Sequence, residues 1–363
     1  MADEKFKVPT DIMQIPIVWR YELLRYLRSW RLAASVIVVV IVLSLIFFLP
    51  PALGHPYSGT DKDRVLEVIS FPGPTSQLSA AAIPRLETTV SHLVISVDGT
   101  VYPSSNWQLV KIAGLPSLPQ VSALSGTYAV LFNGNLSGNV VTATYDWKIN
   151  AQTFDSLNVQ FASFLIIICA TFFGADSIVG EYSNRTGYLL FPNPVKRGVM
   201  FFGKFASSMT AGGLVVSLLY IGITGLSFAA AGGVDDKLGL SYLFAIEYLL
   251  AAMAIGYVVS SILKGTTGAI ILTFFMLVLI LPIIDGIAIF TGTKIAGSLT
   301  FSAGVISYIL QSPYPTDTSQ TFNGFTLTQF YPDPLTSAIV MFVYAVVAVL
   351  ISLVLFKRKQ LLG

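Results

Sequence analysis

The chain has 363 residues, of which 54 % are hydrophobic and 11 % charged, and its formal net charge is +2. A soluble domain carries about 25 % charged residues, so this composition excludes an ordinary water-facing globule and reads as a polytopic membrane protein. The near-neutral balance does not suggest a nucleic-acid partner, and a single cysteine, Cys169, excludes an internal disulfide or a thiolate metal cluster.

Residues 1–31 form a cytoplasmic N-terminus and an amphipathic helix. The first residues are charged and lack an apolar core, which excludes a cleavable signal peptide. Ile12, Ile15, Trp19, Leu23, Tyr26 and Trp30 recur at helical spacing, with Arg25, Arg28 and Arg31 on another face. Such a helix lies in the headgroup layer, with Trp19, Arg25, Arg28 and Trp30 as interface residues. It reads either as a generic surface helix or as an elbow that touches a partner.

Residues 32–50 hold the first span, 157–176 the second, 204–290 the third to fifth, and 335–356 the sixth. Lys and Arg gather before the first span, between the second and third, near Lys264, and in the tail 357–363. These are alternate connections, so the charge rule places them and both termini in the cytoplasm of a plasma-membrane protein. Lys204 is expected at the inner headgroups. Cys169, inside an apolar run, is expected to be a small packed hydrophobe.

Residues 51–156 then form an extracellular, β-rich domain, long enough to bury its own core. Asp98-Gly99 and Asn133-Gly134 both read as hairpin turns, because tight turns need positive φ. Residues 65–70 and 107–112 read as strands, and 77–92 as a short helix broken near Pro84. Asn135-Leu136-Ser137 makes Asn135 a glycosylation candidate. His55 and His92 stand outside any ligand cluster, and Ser91 beside His92 does not make a nucleophile and base.

The fifth span is interrupted by Pro282 and Gly286, and the segment 291–334 reads as an outer re-entrant or interfacial piece followed by a polar loop. Glu247 and Asp285 form a possible intramembrane polar site, either for a substrate or proton or for local hydrogen bonding. Ala252, Gly256 and Ser260 form a small-residue seam for close helix packing, within this chain or with another.

The connection 177–203 is the most informative stretch. Gly198, Gly203 and Lys204 mimic a phosphate loop, but Phe205 stands where the Mg²⁺-binding hydroxyl belongs and the inner residues are apolar. No ATPase is therefore read in this chain. Residues 183–190 read as a short helix along the membrane, stopped before Pro192 and Pro194.

Gly180-Glu181, Arg185-Thr186, Leu189-Leu190, Pro194-Val195, Arg197 and Gly203-Lys204 together resemble the signature loop of ABC-2 permeases. Arg185 stands where that family often has Gly, and Lys196 where it has Ser. The whole plan is similar too: an all-α bundle of six transmembrane helices, an elbow helix, and a β-rich outer domain between the first two spans. The resemblance implies a permease subunit of an exporter that forms the translocation path and is not itself an enzyme. It implies a separate cytoplasmic ABC ATPase that binds ATP and Mg, and a second permease, identical or different. It assigns ATPase docking and coupling to Glu181, Tyr182, Arg185, Thr186, Leu189, Leu190, Pro194 and Arg197, with Glu181 and Arg185 as polar contacts. A membrane-held receptor or scaffold, and a secondary transporter using Glu247 and Asp285, are the competing readings.

Overall fold

A computed structural model describes residues 11–70, 79–83, 88–111, 128–183, 196–322 and 325–358. The expected coupling helix 183–190 thus lies, beyond its first residue, outside the described residues. The chain divides into a helical unit and a β-rich unit, the latter holding 47–154 and 226–234.

Among the described residues, six helices are long and apolar enough to cross a membrane: Trp30–Ala52, Ala151–Glu181, Arg197–Ala231, Leu238–Ile262, Thr266–Ile287 and Pro334–Arg358. They are called here the first to sixth spans. The second and third are longer than their apolar runs alone suggest, beginning at Ala151 and Arg197. Burial separates the spans by role. The apolar window of the second is 78 % buried and that of the fourth 67 %, whereas the first is 11 % buried and the fifth 17 %. The second and fourth spans therefore form the centre, and the exposed Val40, Leu45, Ile271, Phe275 and Ile351 face outward.

The seam expected on the fourth span finds its partner inside this chain. A Cβ added at Gly256 would lie 2.9 Å from the Ala170 carbonyl oxygen, and one at Gly174 would meet the Met253 sulfur at the same distance. At this approach the second span changes to a π-helical segment, Ala170–Ala175, between α-helical stretches Ala151–Cys169 and Val179–Ser183. Ser260, the last residue of the seam, accepts from the Ile178 and Val179 amides at 3.0 and 2.9 Å. These amides follow the π segment, where helical bonding is interrupted, so the hydroxyl supplies acceptors the helix lacks. Cys169 is a free, fully buried thiol in the same packing layer.

The segment beyond the fifth span forms two short helices, Leu299–Ala303 and Val305–Tyr308, too short to cross a membrane. The Ser241 hydroxyl donates to the Ile306 carbonyl at 2.6 Å and so ties them to the fourth span. The following loop, expected to be irregular, contains an antiparallel hairpin of Thr318–Phe322 and Phe325–Gln329.

Among its described residues the β-rich unit has eight strands: β1 Ser58–Leu66, β2 Val68–Ser70, β3 Ser79–Ala82, β4 Thr88–Val97, β5 Thr100–Val101, β6 Trp107–Lys111, β7 Tyr128–Phe132 and β8 Val141–Ile149. They make two antiparallel sheets, ordered β1-β8-β4-β5 and β2-β3-β7-β6. Val141, Ala143, Tyr145 and Trp147 point inward from alternate positions of β8 and share one core with Val130 and Phe132 of β7. The arrangement is a β-sandwich.

Two expectations fail here. The stretch read as a helix over 77–92 contains β3 and the start of β4. Ser79–Ala82 has helix-forming alanines, but it is hydrogen-bonded between β2 and β7, with Ser79, Ala80 and Ala81 buried. Asn133-Gly134 is not a hairpin turn, because β7 and β8 belong to different sheets. The chain crosses between them through Leu136, which is buried, while the Ser79 hydroxyl donates to the Gly134 carbonyl at 2.8 Å. Asp98-Gly99 does turn β4 into β5, with φ of 49° and 79°.

Candidate functional site

The N-terminal helix α1, Asp11–Leu27, carries one acid among its basic residues beyond the first turn, Glu22. Glu22 and Tyr26 are one turn apart and both buried, at 4 % exposure each. Their burial depends on a close approach to the third span. A Cβ at Gly203 would fall 2.6 Å from Val18 Cγ1, so only a glycine admits α1 here. The next residue, Lys204, then reaches Glu22 with its ammonium, 2.6 Å from Oε1. The Gly-Lys pair that mimicked a phosphate loop thus serves helix docking.

Lys204 also donates to Glu181 Oε1 at 2.8 Å, and Arg25 Nη1 donates to the same oxygen at 2.8 Å. Arg25 lies 3.3 Å from the second Glu22 oxygen. Two carboxylates and two cations therefore form a neutral cluster that joins α1, the end of the second span and the start of the third. Glu22 and Glu181 are 4 % exposed and Lys204 2 %. Burial disfavours the charge on Arg25, but Glu22 and Glu181 outweigh it and hold the guanidinium more firmly protonated than usual. An ion cluster at such depth survives because each charge has an opposite partner and directed hydrogen bonds.

A chain of hydroxyls continues inward. The Tyr26 and Ser208 hydroxyls are 3.0 Å apart, Ser208 and Tyr257 2.8 Å, and Tyr257 and Ser177 2.5 Å. The Phe173 carbonyl, inside the π segment, accepts from both Tyr26 and Ser208 at 3.3 and 3.0 Å. Arg31, before the apolar part of the first span, pairs with Asp176. The ion cluster and the hydroxyl chain together link α1 with the second, third and fourth spans.

The sequence-expected residues distribute unevenly over this arrangement. Glu181, Arg25 and Lys204 meet in the cluster. Glu181 is turned into the protein rather than to its surface, and Lys204 binds two carboxylates. Trp19 is half-buried, its indole N–H donating to Thr210 at 3.0 Å, while Arg28 and Trp30 are exposed. Arg197 donates to the Lys357 carbonyl at 2.8 Å, joining the start of the third span to the end of the sixth. Tyr182 is placed by its backbone alone, and Arg185, Thr186, Leu189, Leu190 and Pro194 lie outside the described residues.

Glu247 and Asp285 do not meet through any hydrogen bond or ion pair among the described residues. Asp285 accepts from Thr300, and its other oxygen is buried without a hydrogen-bond partner among the described residues. Asn135 is exposed, and its side-chain oxygen accepts from the Ser137 amide at 3.0 Å. Glu22, Tyr26, Ser208, Tyr257 and Ser177 were missed as members of the cluster and the hydroxyl chain. The one signal for them was Glu22 itself, an acid on a helix otherwise rich in Arg.

The family model described as "ABC-2 family transporter protein" matches residues 16–361. The chain belongs to the ABC-2 transporter family. This ABC-2 permease is a multi-pass membrane protein and a transport subunit rather than a catalyst. Its family implies, in general, an ATPase partner and a dimeric assembly. The match covers α1 from Pro16 onward, all six apolar helices and the β-sandwich between the first two. No curated protein matches the chain.

Proposed function

We propose that this ABC-2 permease is the membrane half of an exporter, and that the buried ion cluster transmits the movement of a separate cytoplasmic ATPase into the spans. The observation that carries the reading is the position of Glu181. It ends the second span, is held by Lys204 and Arg25 at 2.8 Å each, and immediately precedes the loop whose sequence resembles the family's signature. A push on that loop reaches α1 and the third span through charge pairs that resist separation in a low-dielectric setting.

In this account α1 is the elbow helix, with Met13, Ile17 and Tyr21 exposed toward the inner headgroup layer. The termini are cytoplasmic, the β-sandwich is extracellular, and the membrane is the plasma membrane. Support comes from the basic residues beside alternate span ends. Residues 183–190 dock the ATPase, which holds the ATP and Mg, with Tyr182, Arg185, Thr186, Leu189, Leu190 and Pro194 as its contact surface. Glu181 acts one step behind that surface as a positioning residue. A second permease, identical or different, completes the path. The exposure of Asn135 supports its proposal as a glycan acceptor.

The test is affinity purification from native membranes followed by ATP hydrolysis measurements. The wild type should bring down an ATPase. Deletion of 183–188 should lose that partner or its membrane-dependent stimulation. Glu181→Gln should keep the partner but weaken stimulation. Normal stimulation in both variants would overturn the coupling role.

A further inference from the structure

A cavity of about 510 Å³ opens where the third span begins and the sixth ends. One side carries Lys196, Arg197 and Lys357, and the other is formed by Ile15 of α1 with Val199 and Phe202 of the third span. Among the described residues, no acidic side chain lines it. The Arg197 guanidinium is held, because it donates to the Lys357 carbonyl at 2.8 Å and joins the two helix ends. Phe202 is 41 % exposed, a large aromatic ring left open beside three positive charges.

These two halves define an amphiphile. A free inorganic anion has no use for the ring and the aliphatic wall, and an acidic protein loop would need to lay its polar backbone against them. A phosphodiester attached to acyl chains satisfies both. Its phosphate oxygens meet Lys and Arg, which suit phosphate as point charge and planar fork respectively. Its glycerol and first methylenes cover Phe202 and Ile15. The cavity has the volume usual for sites that enclose a small ligand.

We infer that this cavity is a binding site for the headgroup of an anionic phospholipid. The lipid bridges α1, the third span and the sixth at the membrane face where these basic ends gather. Each lysine near an anionic headgroup contributes roughly fivefold in affinity.

The experiment is native mass spectrometry of the full chain, with any bound partner, released from bilayers of phosphatidylcholine with a minor share of phosphatidylglycerol. The wild type should retain phosphatidylglycerol over phosphatidylcholine. Lys196→Gln with Lys357→Gln, which leaves the Arg197 bond in place, should lower that retention by more than tenfold, and Lys357→Gln alone by about fivefold. Lys196→Arg with Lys357→Arg should retain it. Excess inorganic phosphate should not displace the lipid. Equal retention by the wild type and Lys357→Gln would overturn the inference. So would full displacement by phosphate, which would mark a free-phosphate site. Loss of a co-purifying ATPase from the glutamine variants with lipid unchanged would instead make the cavity a protein contact and overturn it equally.

Discussion

Replacing Lys204 by Met tests the cluster at its centre. The ammonium lies 2.6 Å from Glu22 and 2.8 Å from Glu181, and all three groups are almost fully buried. At an effective dielectric near 20, each such contact is worth on the order of 5 kcal/mol of attraction before desolvation is counted. Desolvation consumes most of that, so the net value of the intact cluster is small. Its disruption is not small, because Lys204→Met leaves two buried carboxylates with only Arg25, whose side chain is 43 % exposed, to neutralise them. Removing one partner of a buried pair costs about 3–5 kcal/mol. Thermal unfolding of the protein in nanodiscs, followed by intrinsic fluorescence, should show a clear fall in stability for Lys204→Met. Adding Glu22→Gln and Glu181→Gln to that variant should recover most of the loss, since no unpaired carboxylate then remains. A Lys204→Met protein within about 0.5 kcal/mol of wild type, the range of an ordinary surface change, would refute the reasoning. So would a triple variant no more stable than the single one.

Three further outcomes follow from other contacts. Gly256→Val should sharply lower the melting temperature and the yield, because its Cβ would meet the Ala170 carbonyl at 2.9 Å, whereas Gly225→Ala in the third span, with nothing within 4 Å, should raise stability slightly; equal behaviour of the two would deny the close packing. Ser260→Ala should cost about 1–3 kcal/mol by stranding the Ile178 and Val179 amides, and hydrogen exchange at 178–183 should quicken; unchanged exchange there would exclude the hydroxyl as their acceptor. In the β-sandwich, the Asn139 side chain and the Val140 amide hold the Asp98 carboxyl below its ordinary range. A depressed folded pKa gives stability that is present above the unfolded value near 3.9 and is lost as pH falls through the folded value. The acid-side loss of stability, read by melts across that window, should therefore be shallower in Asp98→Asn, and an identical slope would remove Asp98 as a contributor.

The spans were legible because a run of apolar residues with few charges has few other fates, and the basic ends ordered them. The turn at Asp98-Gly99 was legible because its requirement, positive φ at both positions, is local. Asn133-Gly134 carries the same local signal, but which sheet each flanking strand joins is decided by β3, β4 and β6, far away in the chain. Ser79–Ala82 misled for the same reason, since burial between two strands overrode alanine's helical preference. The site shows the limit most plainly. Glu181 and Lys204 stand out as charges beside apolar runs, yet their meeting with Glu22 spans 182 residues for Lys204 and has no periodicity to announce it. Gly203 was visible as part of a false phosphate loop and of the family's signature, and its packing role appears once Val18 is seen against it. The π segment Ala170–Ala175 leaves no mark in composition at all.

The central claim is that this permease receives the work of a separate ATPase through the loop after Glu181. Its most direct test is ATP hydrolysis by the complex purified from native membranes and returned to bilayers, compared for wild type and for deletion of 183–188. The account predicts that the wild-type permease stimulates its ATPase and that the deletion abolishes stimulation while the spans and the β-sandwich stay folded. Full stimulation by the folded deletion variant would contradict it.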